Sequence, residues 1–141
     1  MYKETNFIYI ITMLEAIEKC FIYTEDIISA EDFFNANEQL NFNASQLLLM
    51  TIGEESKKLD EEIKSDFSET NWKSISNFRN RIAHDYRGVN PEISFEIIKE
   101  YLPELKQVLI SIFKKIEISE EALSVALESD FYKHLKYLKT I

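Results

Sequence analysis

Helical periodicity is the feature that most restricts how this chain can fold. Apolar side chains recur three and four residues apart over long stretches, the spacing that places them on one face of an α-helix. The 141 residues include only two glycines and two prolines, which argues against a turn-rich β protein. This length predicts one domain, residues 1–141. We therefore predict an all-α fold, an antiparallel up-and-down bundle of four long helices with short ones and a C-terminal helix.

Capping signals and breaks in the periodicity bound the predicted helices. Ser29 begins a capping-box sequence ahead of a short turn, and Asn90 followed by Pro91 is a strong helix start. Pro103 should kink the helix that follows, and Gly53 indicates close helix packing. A short polar helix and a loop fit residues 60–68. The longer helices are predicted at residues 5–29, 43–59, from 71 into an arginine-bearing stretch, 90–115 and 119–138.

Charge and cysteine content narrow the classes of partner. A formal net charge of −9 disfavours general coating of nucleic acid and binding to a membrane surface, because both need a cationic surface. The single cysteine, Cys20, excludes an intrachain disulfide and is predicted to be a buried apolar residue. His134 has no carboxylate or cysteine at ligand spacing, so we predict a partly exposed helix residue. The N-terminus lacks a signal-peptide layout, and we expect a cytoplasmic protein without a membrane partner.

All three arginines of the chain fall within nine residues, at Arg79, Arg81 and Arg87. His84, one of two histidines, lies inside this stretch, and Gly88 closes it. Guanidinium is a planar fork that binds phosphate through two hydrogen bonds, so a chain that uses arginine only here is predicted to meet phosphate here. The alternative is a basic helix end capped by glycine, which needs no ligand.

A rotation of about 100° per residue predicts which residues of this helix share a face. The predicted apolar face consists of Trp72, Ile75, Ile82, Ala83 and Tyr86. Arg79 falls at the centre of this face, where it requires either an ion pair with an acid or a wet cleft. His84 lies about 140° from Arg79 around a continuous helix. Either the helix loosens before Gly88, or a second molecule completes the site.

The residue types of this stretch suit cleavage of a phosphodiester without a metal or another cofactor. His84 titrates near neutral pH and can take a proton from a ribose 2′-hydroxyl or give one to a leaving 5′-oxygen. Arg79 can stabilise charge on the phosphoryl oxygens, and Asn80, four residues before His84, can position it or the phosphate. Arg81 and Arg87 are predicted to hold RNA. In-line cleavage benefits from both an acid and a base, which a two-fold homodimer would supply.

The motif resembles that of a known family. Arg79, His84 and Tyr86 match the Arg-x4-His-x-Tyr signature of the HepT-like toxins in the HEPN superfamily. The similarity covers roughly residues 5–112. Besides the motif, the segments that match the family are Ile52-Gly53-Glu54-Glu55, Trp72, Phe78-Arg79-Asn80, His84-Asp85-Tyr86 and Gly88-Val89-Asn90. The resemblance implies a helical-bundle endoribonuclease of a type II toxin-antitoxin system, acting as a homodimer, with Arg79 and His84 as catalytic residues and no metal.

The resemblance also implies a regulatory partner, an MntA-like nucleotidyltransferase antitoxin that transfers AMP from ATP onto a motif tyrosine. Tyr86 is the only residue with a hydroxyl within this motif, so it is the implied acceptor. An adenylyl group there would add bulk and negative charge where an RNA phosphate should bind. A purely structural packing role for Tyr86 stays open, and the resemblance says little about residues 119–138.

Two other functions compete with an RNA-cleaving toxin. One is a catalytically silent HEPN-type adaptor that docks a nucleotidyltransferase or positions a nucleotide for it. The other is a structural bundle whose basic helix end only acts as a cap. The presence of both Arg79 and His84 favours the enzyme, because an adaptor does not need the two together.

Overall fold

The all-α prediction is confirmed. The structure, a computed structural model, describes residues 1–84 and 90–141, and of residues 81–84 it describes the helical backbone. Within those residues the only β pairing is an isolated parallel bridge between Tyr2 and Ile116. The helices are α1 Asn6–Tyr23, α2 Ala30–Asn35, α3 Leu40–Lys58, α4 Glu61–Asp66, α5 Trp72–His84, α6 Pro91–Glu96, α7 Leu102–Phe113 and α8 Glu120–Glu128.

Helix α1 lies at the centre of the bundle. It packs against α3 and α7, and α3 in turn packs against α5. The fully buried residues of α1 include Ile10, Ile11, Met13, Leu14 and Ile17. None of the described helices is long and apolar enough to cross a membrane. Helix α5 thus joins the bundle mainly through α3, and one of its faces stays exposed.

The predicted helix starts are confirmed where side chains cap them. Ser29 Oγ accepts a hydrogen bond from the backbone N–H of Asp32 at 3.1 Å, ahead of α2. Asn90 Oδ1 accepts from the backbone N–H of Glu92 at 2.9 Å, with Pro91 at the first position of α6. These contacts satisfy donors that the first helical turn leaves free, which explains why the chain turns into helix there.

The predicted bounds of the first two long helices are wrong at one end each. Helix α1 stops at Tyr23 and not near residue 29, because the backbone leaves helical geometry at Thr24 (φ −118°, ψ 7°). Asp26 then adopts a left-handed conformation with φ 61°, so the apolar residues that follow it do not continue the helix. Helix α3 begins at Leu40, after three residues with positive φ, so Asn43 is inside the helix and not at its N-cap.

The helical stretch from Pro91 to Phe113 changes its hydrogen-bonding pattern just before Pro103, where a kink was predicted. A π-helical turn, Ile97–Tyr101, separates α6 from α7. Proline has no N–H to donate to the carbonyl four residues earlier, which is that of Lys99 in this turn. The wider π turn relieves that break without ending the helix.

The predicted helix over residues 119–138 is wrong. Helix α8 ends at Glu128 because Ser129 takes an extended conformation (φ −64°, ψ 140°). Two 3₁₀ turns follow, Asp130–Tyr132 and Lys136–Thr140. Leucines three residues apart also suit this looser path, since Leu135 and Leu138 are both buried in it.

A buried carboxylate explains the path of this C-terminal segment. Glu15, on α1, is buried and accepts a hydrogen bond from the backbone N–H of His134 at 3.2 Å. Its other oxygen contacts Nδ1 of the same histidine. His134 is partly exposed, as predicted, but it lies in a turn and not in a helix. Cys20 is fully buried, as predicted, and this burial raises the pKa of its thiol.

Candidate functional site

The close approach of α3 and α5 is the local feature that builds the site. Gly53 on α3 lies so near to α5 that a Cβ placed there would be 2.9 Å from the carbonyl oxygen of Ile75. It would also lie 3.4 Å from the backbone nitrogen of Arg79. Real Cβ atoms do not come this close to backbone oxygen, so only glycine fits without a shift of the helices. This confirms the predicted close packing at Gly53.

Next to this contact, two cations share one carboxylate. Arg79 Nε lies 2.8 Å from Glu54 Oε1, and Lys57 Nζ lies 3.3 Å from the same oxygen. The Arg79 side chain is 48% exposed and that of Glu54 is 39% exposed. A guanidinium in this setting is reachable from solvent while one of its edges is held, which is the condition for binding a phosphate.

The predicted position of Arg79 at the centre of an apolar stripe is wrong. Ile75 and Phe78 form the buried face of α5 in the described residues, and Trp72 is only partly buried. Arg79 lies one residue beyond Phe78, about 100° around the helix, where the surface is open. The predicted need for a carboxylate partner is nevertheless met, by Glu54.

The remaining predicted site residues are described to different extents. Asn80 is exposed on α5. The backbone of α5 stays helical through Arg81 to His84, whereas the side chains of these two residues lie outside the description. Tyr86 and Arg87 belong to residues 85–89 and also lie outside it. The structure therefore brings Arg79 to an open surface, and the roles of the other five residues stay predictions.

Glu54 is the site residue that sequence reasoning missed. Glu54 and Glu55 are adjacent on α3, so their side chains point about 100° apart around the helix. In the structure they have different partners: Glu54 contacts Arg79 on another helix, and Glu55 contacts Lys58 at 2.9 Å on its own. The signal was present in the sequence as a glycine directly before the carboxylate, which lets a second helix come within reach.

The other flank of α5 borders an acidic groove of about 510 Å³. Ser74, Asn77 and Phe78 form its α5 wall, and the α6–α7 segment forms the opposite wall. Three exposed glutamates one helical turn apart, Glu96, Glu100 and Glu104, line that wall. No lysine or arginine is among the described residues that line this groove. Its potential therefore disfavours a polyanion.

The surroundings of one tyrosine in this groove, Tyr101, change the pKa of its side chain. Tyr101 lines the groove, and its ring packs edge-on against Phe78 with ring centroids 6.4 Å apart. Burial raises the pKa of Tyr101, and the negative charge of Glu104 raises it further. Both effects favour the neutral phenol.

Comparison with known proteins identifies the family. Residues 13–112, which contain α3 and α5, match the family described as Ribonuclease HepT-like. The chain belongs to this family. The resemblance to HepT-like proteins of the HEPN superfamily is thus confirmed, and so, at the level of the family, is the prediction that the chain is an enzyme of the ribonuclease class.

Individual relatives of the HepT-like chain carry related names. A candidate RNase of Caldanaerobacter subterraneus subsp. tengcongensis is 33% identical over 70% of this chain and 88% of its own length. A candidate ribonuclease HepT of Thermococcus cleftensis is 30% identical over 74% of this chain and 92% of its own.

A third relative is only half matched. It is a Methanocaldococcus jannaschii protein named as both a gamma-glutamylcyclotransferase and a candidate RNase. It is 29% identical over 78% of this chain and 48% of its own length. No solved structure gives a significant match to the HepT-like chain.

Proposed function

We propose that this HepT-like chain is a metal-independent endoribonuclease toxin of a type II toxin-antitoxin system, with Arg79 and His84 as its catalytic residues. The observation that carries the proposal is the half-exposed guanidinium of Arg79, held at one edge within the segment that matches a ribonuclease family. Asn80, exposed beside it, supports His84 or the phosphate, and Arg81 and Arg87 bind the RNA backbone.

The proposed reaction needs proton transfer at two oxygens of the RNA. One imidazole takes the proton of a ribose 2′-hydroxyl, and the resulting oxygen attacks the adjacent phosphorus. A second group gives a proton to the 5′-oxygen as its bond to phosphorus breaks. Arg79 binds the phosphoryl oxygens, on which negative charge grows during the attack. His84 is the titratable group of the motif suited to either proton transfer.

A homodimer supplies the missing second group. Helix α5 is continuous from Trp72 to His84, so positions 79 and 84 lie about 140° apart around it. The alternative is that the helix loosens before Gly88; the described backbone is helical as far as His84, which favours a second molecule. We propose that two copies of the motif face each other, so that Arg79 of one subunit and His84 of the other act on one phosphodiester.

The proposed regulation acts on Tyr86. An MntA-like nucleotidyltransferase antitoxin would transfer AMP from ATP to the Tyr86 hydroxyl and release pyrophosphate. The added phosphate would compete with RNA for the arginines, which gives the inhibition a physical cause. The test is mass spectrometry after incubation with such an enzyme and ATP. A gain of one adenylyl group that disappears in Tyr86→Phe supports the proposal, and an unchanged mass contradicts it.

The central experiment compares wild type with His84→Ala, each expressed without a partner. We expect growth arrest and RNA degradation from the wild type only, and cleavage of purified RNA in the presence of EDTA. His134→Gln is the control, because it removes the imidazole outside the motif while the glutamine amide can still donate a hydrogen bond to Glu15, and it should keep activity. Equal harmlessness of wild type and His84→Ala would contradict the enzyme and point to a silent adaptor.

A further inference from the structure

The contact between Glu54 and Arg79 engages one particular edge of the guanidinium. Glu54 Oε1 lies 2.8 Å from Nε, the nitrogen nearest to the main chain. The bidentate contact that arginine makes with a phosphate can use its two terminal nitrogens, Nη1 and Nη2. A carboxylate bound at Nε therefore fixes the plane of the guanidinium without requiring both terminal nitrogens.

The reach of Glu54 follows from the packing of the two helices. Gly53 places the backbone of α3 against that of α5, which brings the neighbouring carboxylate within contact distance of Arg79. Lys57, one turn later on α3, binds the same Oε1 and restrains the glutamate from its own helix. Glu54 thus connects the Arg79 side chain to α3, a helix that packs closely against α5.

Stability alone does not account for this ion pair. Both side chains are more than one third exposed, and exposed ion pairs add little to the stability of a fold. The glutamate also places a negative charge beside a site for which phosphate is proposed, which weakens binding of RNA. An arrangement that costs affinity and adds little stability is explained by what it does to the orientation of Arg79.

We propose that Glu54 is a positioning residue for RNA cleavage: it orients the Arg79 guanidinium so that the terminal nitrogens face the scissile phosphate. This inference rests on the proposed function of the HepT-like chain. It predicts that Glu54 contributes to the rate of the chemical step and opposes binding of the substrate. These two effects have opposite signs, which separates them from simple damage to the fold.

The first test is a kinetic comparison on an RNA oligonucleotide. Glu54→Gln keeps an oxygen that accepts from Nε but loses the charge, whereas Glu54→Ala loses both. We expect kcat to fall about tenfold or more in Glu54→Ala and less in Glu54→Gln, because misplaced groups lose much of their catalytic effect. KM should stay the same or decrease in both variants, and the thermal midpoint should not change.

Glu55→Gln is the matched control. It removes the same charge from the next residue of α3, where the partner is Lys58 and not Arg79. We expect its kcat to equal that of the wild type. A second control places Glu54→Ala in an Arg79→Ala background, where it should cause no further loss of kcat, because the glutamate acts only through the arginine.

A second measurement does not depend on activity. The chain has only three arginines, so a nitrogen-15 NMR spectrum of arginine side chains contains three Nε–H signals. Loss of one signal in Arg79→Lys assigns Arg79. We expect exchange of this Nε–H with water to be slow in the wild type and in Glu55→Gln, and at least several-fold faster in Glu54→Ala.

The outcomes separate this inference from the proposed function. A wild type that cleaves RNA while Glu54→Ala keeps the kcat of Glu55→Gln overturns the positioning role alone, as does an Arg79 Nε–H signal that ignores Glu54. A wild type as inert as His84→Ala overturns the proposed function and, with it, the catalytic role of Glu54. A fall in kcat with KM unchanged or lower, with the predicted change in Arg79 exchange, supports both.

Discussion

The two flanks of α5 differ in charge and in how closely the neighbouring helix approaches. On the α3 flank, Gly53 allows backbone contact, and Arg79 and Lys57 surround the single carboxylate of Glu54. On the other flank the helices stand apart and leave the acidic groove. The described walls of that groove carry three carboxylates, at Glu96, Glu100 and Glu104.

This difference explains how a chain with a net charge of −9 can present a site for RNA. Part of its acidity lies on a flank of α5 that need not touch the substrate, while on the other flank two of the described cations, Arg79 and Lys57, contact one carboxylate. Because charges at the surface are screened over about 10 Å at 0.1 M salt, the field of the groove is weakened at the α3 flank without being abolished there. The comparison predicts that substitutions on the α3 flank change catalysis and those in the groove change it little.

The largest expected effect is that of Arg79→Ala. Loss of a preorganised cation that stabilises the phosphoryl charge should lower kcat about 10²- to 10³-fold. Lys73→Ala is the matched control, since it removes an exposed cation from an earlier turn of α5 and should change kcat less than about threefold. Steady-state cleavage of an RNA oligonucleotide measures both. Equal losses in the two variants would mean that the charge of α5 matters and the position of Arg79 does not.

Gly53→Ala tests the close approach on the α3 flank. The new methyl group would meet the carbonyl oxygen of Ile75, so α3 and α5 must separate or one of them must bend. We expect a loss of about 1–3 kcal/mol in the free energy of unfolding, as for other overpacked positions. Urea denaturation measures this loss, and Gly53→Val should lose more than Gly53→Ala. Stabilisation by alanine, which its helix propensity alone would give, would refute the close contact.

The contrast between the two flanks also shows which features can be predicted from the sequence and which cannot. The helices and the caps at Ser29 and Asn90 depend on neighbours a few residues away, and they were predicted. The surface position of Arg79 depends on which helix covers which face of α5, and a helical wheel does not contain that information. Glu54 could be found only once Gly53 was taken as a contact with another helix.

The prediction of one helix over residues 119–138 was wrong for a similar reason. Its leucines recur at helical spacing, yet its path depends on a contact between Glu15 and His134, which are 119 residues apart. Glu15 is buried because a backbone N–H and an imidazole distant in the sequence satisfy it. Local patterns predict elements well, and long-range polar contacts decide how the elements end.

A smaller effect is expected from neutralising the acidic groove. Replacing Glu96, Glu100 and Glu104 together by glutamine should lower KM for RNA about two- to threefold at low salt, since distant charges still repel the substrate there. The difference should vanish at high salt, and kcat should not change. Measurement of KM and kcat at several salt concentrations tests this. A fall in kcat would place the substrate in the groove and reverse the assignment of the two flanks.

The control for this triple variant carries the same change in net charge elsewhere. Glu117, Glu121 and Glu128 are exposed near or on α8, outside the described lining of the groove. Their joint replacement by glutamine should affect KM no more than the groove variant does. An equal effect of both variants would assign the change to net charge, and a larger effect in the groove would show that its field reaches the substrate.

The smallest expected effect is a shift in one pKa, and it measures the field of the groove directly. Burial raises the pKa of Tyr101 above the usual 10.0, and Glu104 raises it further. Glu104→Gln should therefore lower this pKa but leave it above the usual value, because burial is the larger cause. The phenolate absorbance of wild type minus that of Tyr101→Phe gives the titration. Glu92→Gln, outside the described lining of the groove, should leave it unchanged.

The raised pKa of Tyr101 also makes the free energy of unfolding depend on pH. Because the folded chain holds the Tyr101 proton more tightly than the unfolded chain, its contribution is fully present below about pH 10 and is lost as the pH rises through the folded pKa. Tyr101→Phe should thus lose less stability than the wild type between pH 9 and about pH 11, measured by urea denaturation. If Glu104→Gln leaves the Tyr101 titration unchanged, the Glu104 carboxylate has no measurable effect on a side chain in the same groove. The acidity of the groove then cannot be what keeps RNA on the α3 flank.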